Sequence, residues 1–150
     1  MAEPADAIER EIRIGASPEA VFAYFTDAKK MVRWKGIEAD LDPRVGGLYR
    51  VVIDAGRVAR GEFRELVPNR RVVFTWGWED DSDLPPGSST VEVTLAPDGE
   101  GTLVRLVHRD LPVPARKVHA EGWDRFLPRL ARAAVDKQQT TRDAGRASKN

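Results

Sequence analysis

The chain has 150 residues with 24 basic and 24 acidic side chains, long enough to bury one core unaided and too evenly charged to give a global electrostatic case for nucleic acid. It contains no cysteine, which excludes disulfides, thiol nucleophiles and zinc-thiolate sites. Met1 to Asp6 shows neither a basic leader nor an apolar stretch, and no later run approaches the roughly 20 apolar residues of a bilayer span; a soluble cytoplasmic protein without membrane contact is expected.

In chain order, Ile8 to Ile14 alternates, with Ile8, Ile12 and Ile14 on one face and Glu9, Glu11 and Arg13 on the other, as in a half-buried strand. Arg10 interrupts the apolar face. Ser17-Pro18 reads as the cap and first residue of a short helix carrying Val21, Phe22, Tyr24 and Phe25. Asp27 reads as the cap of a second short helix that brings Met31 and Trp34 inward. From Ala39 onward, strands alternate with the turn signals Gly46-Gly47, Asp54-Ala55-Gly56, Pro68-Asn69 and Asp98-Gly99-Glu100-Gly101. Such short links favour antiparallel hairpins. Arg71 to Glu79 presents Val72, Phe74, Trp76 and Trp78 on one face; Val91, Val93 and Leu95, then Val104, Leu106 and His108, repeat the pattern. Between them, Glu79 to Ser88 is polar and broken by proline, and reads as a mobile loop. Its four carboxylates lack the glycine turn and distal glutamate of a calcium loop.

Pro114 to Val135 predicts one long helix. His119, Gly122, Trp123, Phe126, Leu127, Leu130 and Ala134 fall three and four residues apart along one stripe, opposite Lys117, Glu121, Asp124, Arg125, Arg129 and Arg132. Gly122 costs about 1 kcal/mol relative to alanine, which close approach of another backbone would offset. Pro128 removes a helical bond and predicts a kink. From Arg105 onward there are 11 basic and 5 acidic residues. A solvated helix face and tail account for this excess, since no aromatic residue follows Phe126 to stack a base. The domain is taken as residues 1–136 and residues 137–150 as a disordered polar tail. The element count implies an α+β domain: an antiparallel sheet of about seven strands, two short helices, and a long carboxy-terminal helix packed across the sheet.

Several local pieces resemble one family: Ser17-Pro18-Glu19-Ala20-Val21-Phe22, Gly46-Gly47-Leu48-Tyr49, Gly61-Glu62-Phe63 leading to Pro68, Phe74-Thr75-Trp76, and His119-Ala120-Glu121-Gly122-Trp123. In order and spacing they resemble the START-like (SRPBCC, helix-grip) superfamily, in the branch named after activators of a heat-shock chaperone's ATPase. The resemblance implies a curved seven-stranded sheet gripping the long helix around a cavity, in which many superfamily members bind lipids, sterols, polyketides or hormones. It also implies a possible heat-shock chaperone partner, although that activity belongs to multidomain members.

The residues expected at such a cavity are Tyr49, Phe63, Phe74, Trp76, Trp78, His108, His119, Trp123, Phe126 and Leu127, with Glu65 a weaker candidate if a bulge near Pro68 does not turn it outward. The aromatic residues serve equally as plain core. Trp76, Trp78 and Trp123 are expected inside and Trp34 near the mouth. The two histidines read as buried polar groups satisfied by neighbours rather than as catalysts, and two imidazoles fall short of a metal site. No nucleophile elbow, phosphate loop or dinucleotide fingerprint occurs. The reading is therefore a cofactor-free, monomeric protein that binds a hydrophobic small molecule: a lipid, polyketide or aromatic compound. A chaperone-regulating module is the alternative, and a cyclase- or hydrolase-type enzyme comes third.

Overall fold

Seven strands form one antiparallel sheet in the order β1-β7-β6-β5-β4-β3-β2. The computed structural model describes residues 7–147; the leader-free start read at Met1–Asp6 and the last three residues of the tail lie outside them. The strands are β1 (Ile8–Ile14), β2 (Glu38–Leu41), β3 (Leu48–Asp54), β4 (Arg57–Val67), β5 (Arg71–Trp76), β6 (Ser89–Asp98) and β7 (Gly101–Arg109). The β3–β4, β4–β5 and β6–β7 links are hairpins at turn signals read from the sequence, while β5 and β6 are joined by the loop from Gly77 to Ser88. Asn69 and Gly99 supply the left-handed backbone two of those turns need, at φ 65° and 63°. Because β1 and β2 lie at opposite edges, the segment between them must cross the sheet, and it does so as α1 (Pro18–Thr26) and α2 (Ala28–Met31). The caps are those expected: Ser17 Oγ accepts from Ala20 N at 3.2 Å and Asp27 Oδ1 from Lys29 N at 2.8 Å.

The third helix, α3, runs from Val113 to Ala147, unbroken across Pro128. Residues 137–147, expected from their polar composition as a tail, lie within that helical span in backbone conformation. Its stripe meets the sheet as predicted, with Trp123, Leu127, Leu130 and Ala134 buried against Val91, Val93, Val104 and Leu106 of the same core. Arg10, which interrupts the apolar face of β1, reaches Asp124 on α3, its Nε donating to Oδ1 at 2.6 Å. That bond lies at a half-exposed edge and is worth about 0–1 kcal/mol, so burial of the stripe, not the ion pair, holds the helix.

Two further details depart from the periodicity. β5 ends at Trp76 rather than Glu79, because at Gly77 the loop folds back so closely that a Cβ would sit 1.8 Å from the Pro85 carbonyl oxygen. Trp78 N then donates to Leu84 O at 2.8 Å, and Trp78 keeps only a single bridge to Ala59 of β4. Leu84, buried to 3% exposure, anchors a loop that reads as wholly polar and mobile in sequence. On β4 a bulge between Phe63 and Glu65 turns Glu65 outward to pair with Arg71, so the weaker cavity candidate faces solvent.

The turn after α2 passes close against β3. Gly36 has φ +86°, and a Cβ there would lie 2.6 Å from Val52 O, while the next amide, Ile37 N, bonds that same oxygen at 2.8 Å. Only glycine fits. Gly36→Ala is expected to lose about 2 kcal/mol or more, from a left-handed residue and a backbone clash together; urea unfolding of the variant measures it.

Candidate functional site

The sheet and α3 meet through a buried polar cluster. Trp76 on β5 donates its indole N–H to His119 Nε2 on α3 at 3.2 Å, and Trp123 on α3 donates to His108 Nδ1 on β7 at 3.0 Å. Each element therefore gives one indole donor and one imidazole acceptor. An indole N–H can only donate, so each histidine accepts at that nitrogen and carries its proton on the other. His119 Nδ1–H donates to Ala115 O at 2.8 Å; His108 Nε2–H donates to Ser89 Oγ at 2.9 Å, and that hydroxyl donates to Trp76 O at 2.8 Å. The two neutral imidazoles thus hold opposite tautomers. The rings stand edge to face, 5.4 Å apart.

Beside this cluster lies Lys35, placed by the Gly36 turn and only 1% exposed. Its Nζ sits 4.0 Å from the Trp76 ring and 4.2 Å from that of Trp123, and it donates to Tyr49 Oη at 3.3 Å. Among the described residues it has no carboxylate partner. Burial pushes its pKa well below the ordinary lysine value, as it pushes the Tyr49 phenol upward. Burial also holds His108 well below the usual imidazole range, with further lowering by His119 and Lys35. His119 is lowered by burial against the opposing bond to Ala115, and lowered again by Lys35 and Arg57.

A cleft of about 90 Å³ opens between these groups and the surface. Trp76, His119, Gly122 and Trp123 form its inner walls with Lys35, while Trp78, Phe126, Ile53, Val118, Arg57 and Arg125 surround its outer part. Gly122 is the opening: a Cβ there would meet nothing within 4 Å, so no second backbone approaches it, contrary to the sequence expectation. Of the ten residues expected at a cavity, the structure brings Trp76, Trp78, His119, Trp123 and Phe126 to the cleft. Tyr49, Phe63, Phe74, His108 and Leu127 pack in the core instead, with Tyr49 stacked on Phe74 at 4.1 Å. They fill most of the space between sheet and helix. Trp34, expected near the mouth, is buried at 2% exposure, its indole donating to Tyr24 O at 3.0 Å.

Lys35, Arg57 and Arg125 escape a sequence reading because cationic residues are ordinarily solvated. The usable signal for Lys35 was its place between an inward tryptophan and Gly36. Among the described residues no group of three or more histidine, aspartate or glutamate side chains converges as a metal site, and no helix is long and apolar enough to cross a membrane.

A family model described as "Activator of Hsp90 ATPase homolog 1-like protein" matches residues 15–134. The solution structure of an AHSA1-like protein from Rhizobium etli is 43% identical, covers 89% of this chain and 86% of its own, and superposes with a TM-score of 0.68. CalU16 from Micromonospora echinospora is 27% identical, with a TM-score of 0.71 over 94% of this chain and 84% of its own. The human activator of 90 kDa heat shock protein ATPase homolog 1 is 28% identical over 111 residues, 73% of this chain but 31% of the human protein. This chain thus spans about a third of that relative's length.

The depressed histidines set a pH dependence. Their neutral forms are favoured by folding, so this stability is complete above the unfolded value of about 6.5 and is lost as pH falls toward the folded values. Urea unfolding at a series of pH values is expected to show that decline, and His108→Gln, which keeps an acceptor and a donor but cannot titrate, to flatten it. Lys35 behaves in the alkaline range: the unfolded chain binds a proton that the folded amine releases, so stability rises with pH toward about 10.5. Lys35→Met is expected to remove that rise and to gain roughly 1–3 kcal/mol at neutral pH.

Proposed function

The chain belongs to the Activator of Hsp90 ATPase homolog 1-like family, and from that premise we propose that it is a binding protein for a small apolar or aromatic molecule held between sheet and helix. The observation that carries the reading is the cleft lined by Trp76, Gly122 and Trp123, where a helical glycine leaves open space that a side chain would otherwise enter. Apolar walls with a few placed polar groups are the usual make-up of ligand sites. At about 90 Å³ the cleft falls well short of the roughly 300–1,000 Å³ that encloses drug-sized ligands. Its occupant is a single ring or a short branched chain, and any longer portion of a lipid or polyketide leaves past Val118, which is 56% exposed at the rim. Binding is favoured over catalysis because both nitrogens of each histidine are already engaged, which leaves neither as a free general base.

A chaperone-regulating role is the second reading, supported by the human relative's name. It predicts a saturable change in the ATP turnover of a heat-shock ATPase on adding this protein, and unchanged turnover counts against it.

The binding reading is tested by titrating isotope-labelled protein with pools of single-ring aromatics and fatty acids while following the tryptophan indoles. Saturable shifts are expected at Trp76, Trp78 and Trp123 and not at Trp34. Gly122→Leu, whose side chain enters the empty space, is expected to keep the fold within about 1 kcal/mol, helped by better helix propensity, and to weaken binding at least about tenfold. Unaltered binding by that variant would place the ligand elsewhere.

A further inference from the structure

Building on the binding reading, we infer that the cleft selects aromatic carboxylic acids, the ring lying against Trp76 and Trp123 and the carboxylate meeting the ammonium of Lys35. The argument begins with charge. Three of the residues around the cleft are cationic, Lys35 within and Arg57 and Arg125 at its edge, and none is a carboxylate. Arg57 is already held by Asp54 at 2.9 Å and lies 5.4 Å from the Trp78 ring, so it closes one side rather than seeking a partner. Lys35 is different: among the described residues its amine has one hydrogen bond, to the Tyr49 hydroxyl, and the nearest rings are two indoles. A buried amine without an anion costs stability, and a core position four residues past the end of α2 would be better filled by an apolar side chain. A ligand that brings the missing negative charge reverses that cost.

The other groups facing Lys35 favour an anion as well. From β7 and α3 come the imidazoles of His108 and His119, both held neutral chiefly by burial; from β3 comes the Tyr49 hydroxyl; from β4 and α3 come the two arginines that line the same cleft. None supplies negative charge. A planar carboxylate on one ring matches the space of about 90 Å³ and the paired indole walls. Binding an ionised acid then transfers one proton from solvent to Lys35, giving an ammonium–carboxylate pair. Affinity therefore weakens as pH rises from the lysine's value in the free protein toward its higher value in the complex.

The experiment uses benzoate and its neutral counterpart benzyl alcohol, with wild type and Lys35→Met compared by indole shifts and by calorimetry in two buffers of different ionisation enthalpy. Wild type is expected to prefer benzoate by at least about tenfold, with net proton uptake, and with shifts at Trp76 and Trp123. Lys35→Met is expected to lose that preference and the proton uptake while still binding benzyl alcohol, which shows an intact cleft. Benzyl alcohol binding as tightly as benzoate in wild type, or a preference unchanged in Lys35→Met, overturns the inference and leaves the binding reading standing. If neither probe binds wild type, the inference and the single-ring ligand reading both fall.

Discussion

Everything in this molecule turns on the reciprocal bonding of two indoles to two imidazoles across the gap between sheet and helix. Trp76 and His108 come from strands, His119 and Trp123 from α3, and the donor of each pair faces the acceptor of the other element. Apolar burial alone would hold the helix against the sheet but would allow it to slide or roll by a fraction of a turn. Four polar groups that must find partners in a dry interior permit one arrangement. No buried side-chain nitrogen or oxygen among the described residues is left without a partner, so the network is complete as it stands.

The same arrangement explains the cleft. To present Trp123 and His119 to their partners, α3 must keep the face containing Gly122 toward the sheet, and glycine leaves the space that another side chain would close. Lys35 reaches that space because Gly36 lets the preceding turn lie against β3. Burial favours the neutral form of the lysine and of both imidazoles alike, and charge on the lysine and on an imidazole would oppose each other. Structure and electrostatics thus agree on one state: neutral imidazoles, occupied indoles, and a single buried amine as the group with binding capacity to spare.

Much of this was legible in the sequence, and the limits have physical causes. Strand alternation, the Ser17 and Asp27 caps and the hairpin signals report local geometry, so seven strands, two short helices and the packing stripe of α3 could be read directly. So could the inward placement of both histidines. The end of β5 could not, because Gly77 is governed by a contact with Pro85 made only in three dimensions. Nor could the division of the aromatic residues: Phe74 and Trp76 share one periodicity on β5, yet only the indole reaches the cleft. Lys35 was least legible, since the tertiary path that buries it leaves no periodic trace.

The most direct test of the account is the tautomeric state of the two histidines, read from long-range nitrogen–proton correlations of the labelled protein at neutral pH. The account predicts two neutral rings of opposite form, His119 protonated on Nδ1 and His108 on Nε2, with both indole N–H groups of Trp76 and Trp123 protected from exchange. A charged ring, two rings of the same tautomer, or freely exchanging indoles would contradict it and detach the helix from the clasp proposed to orient it.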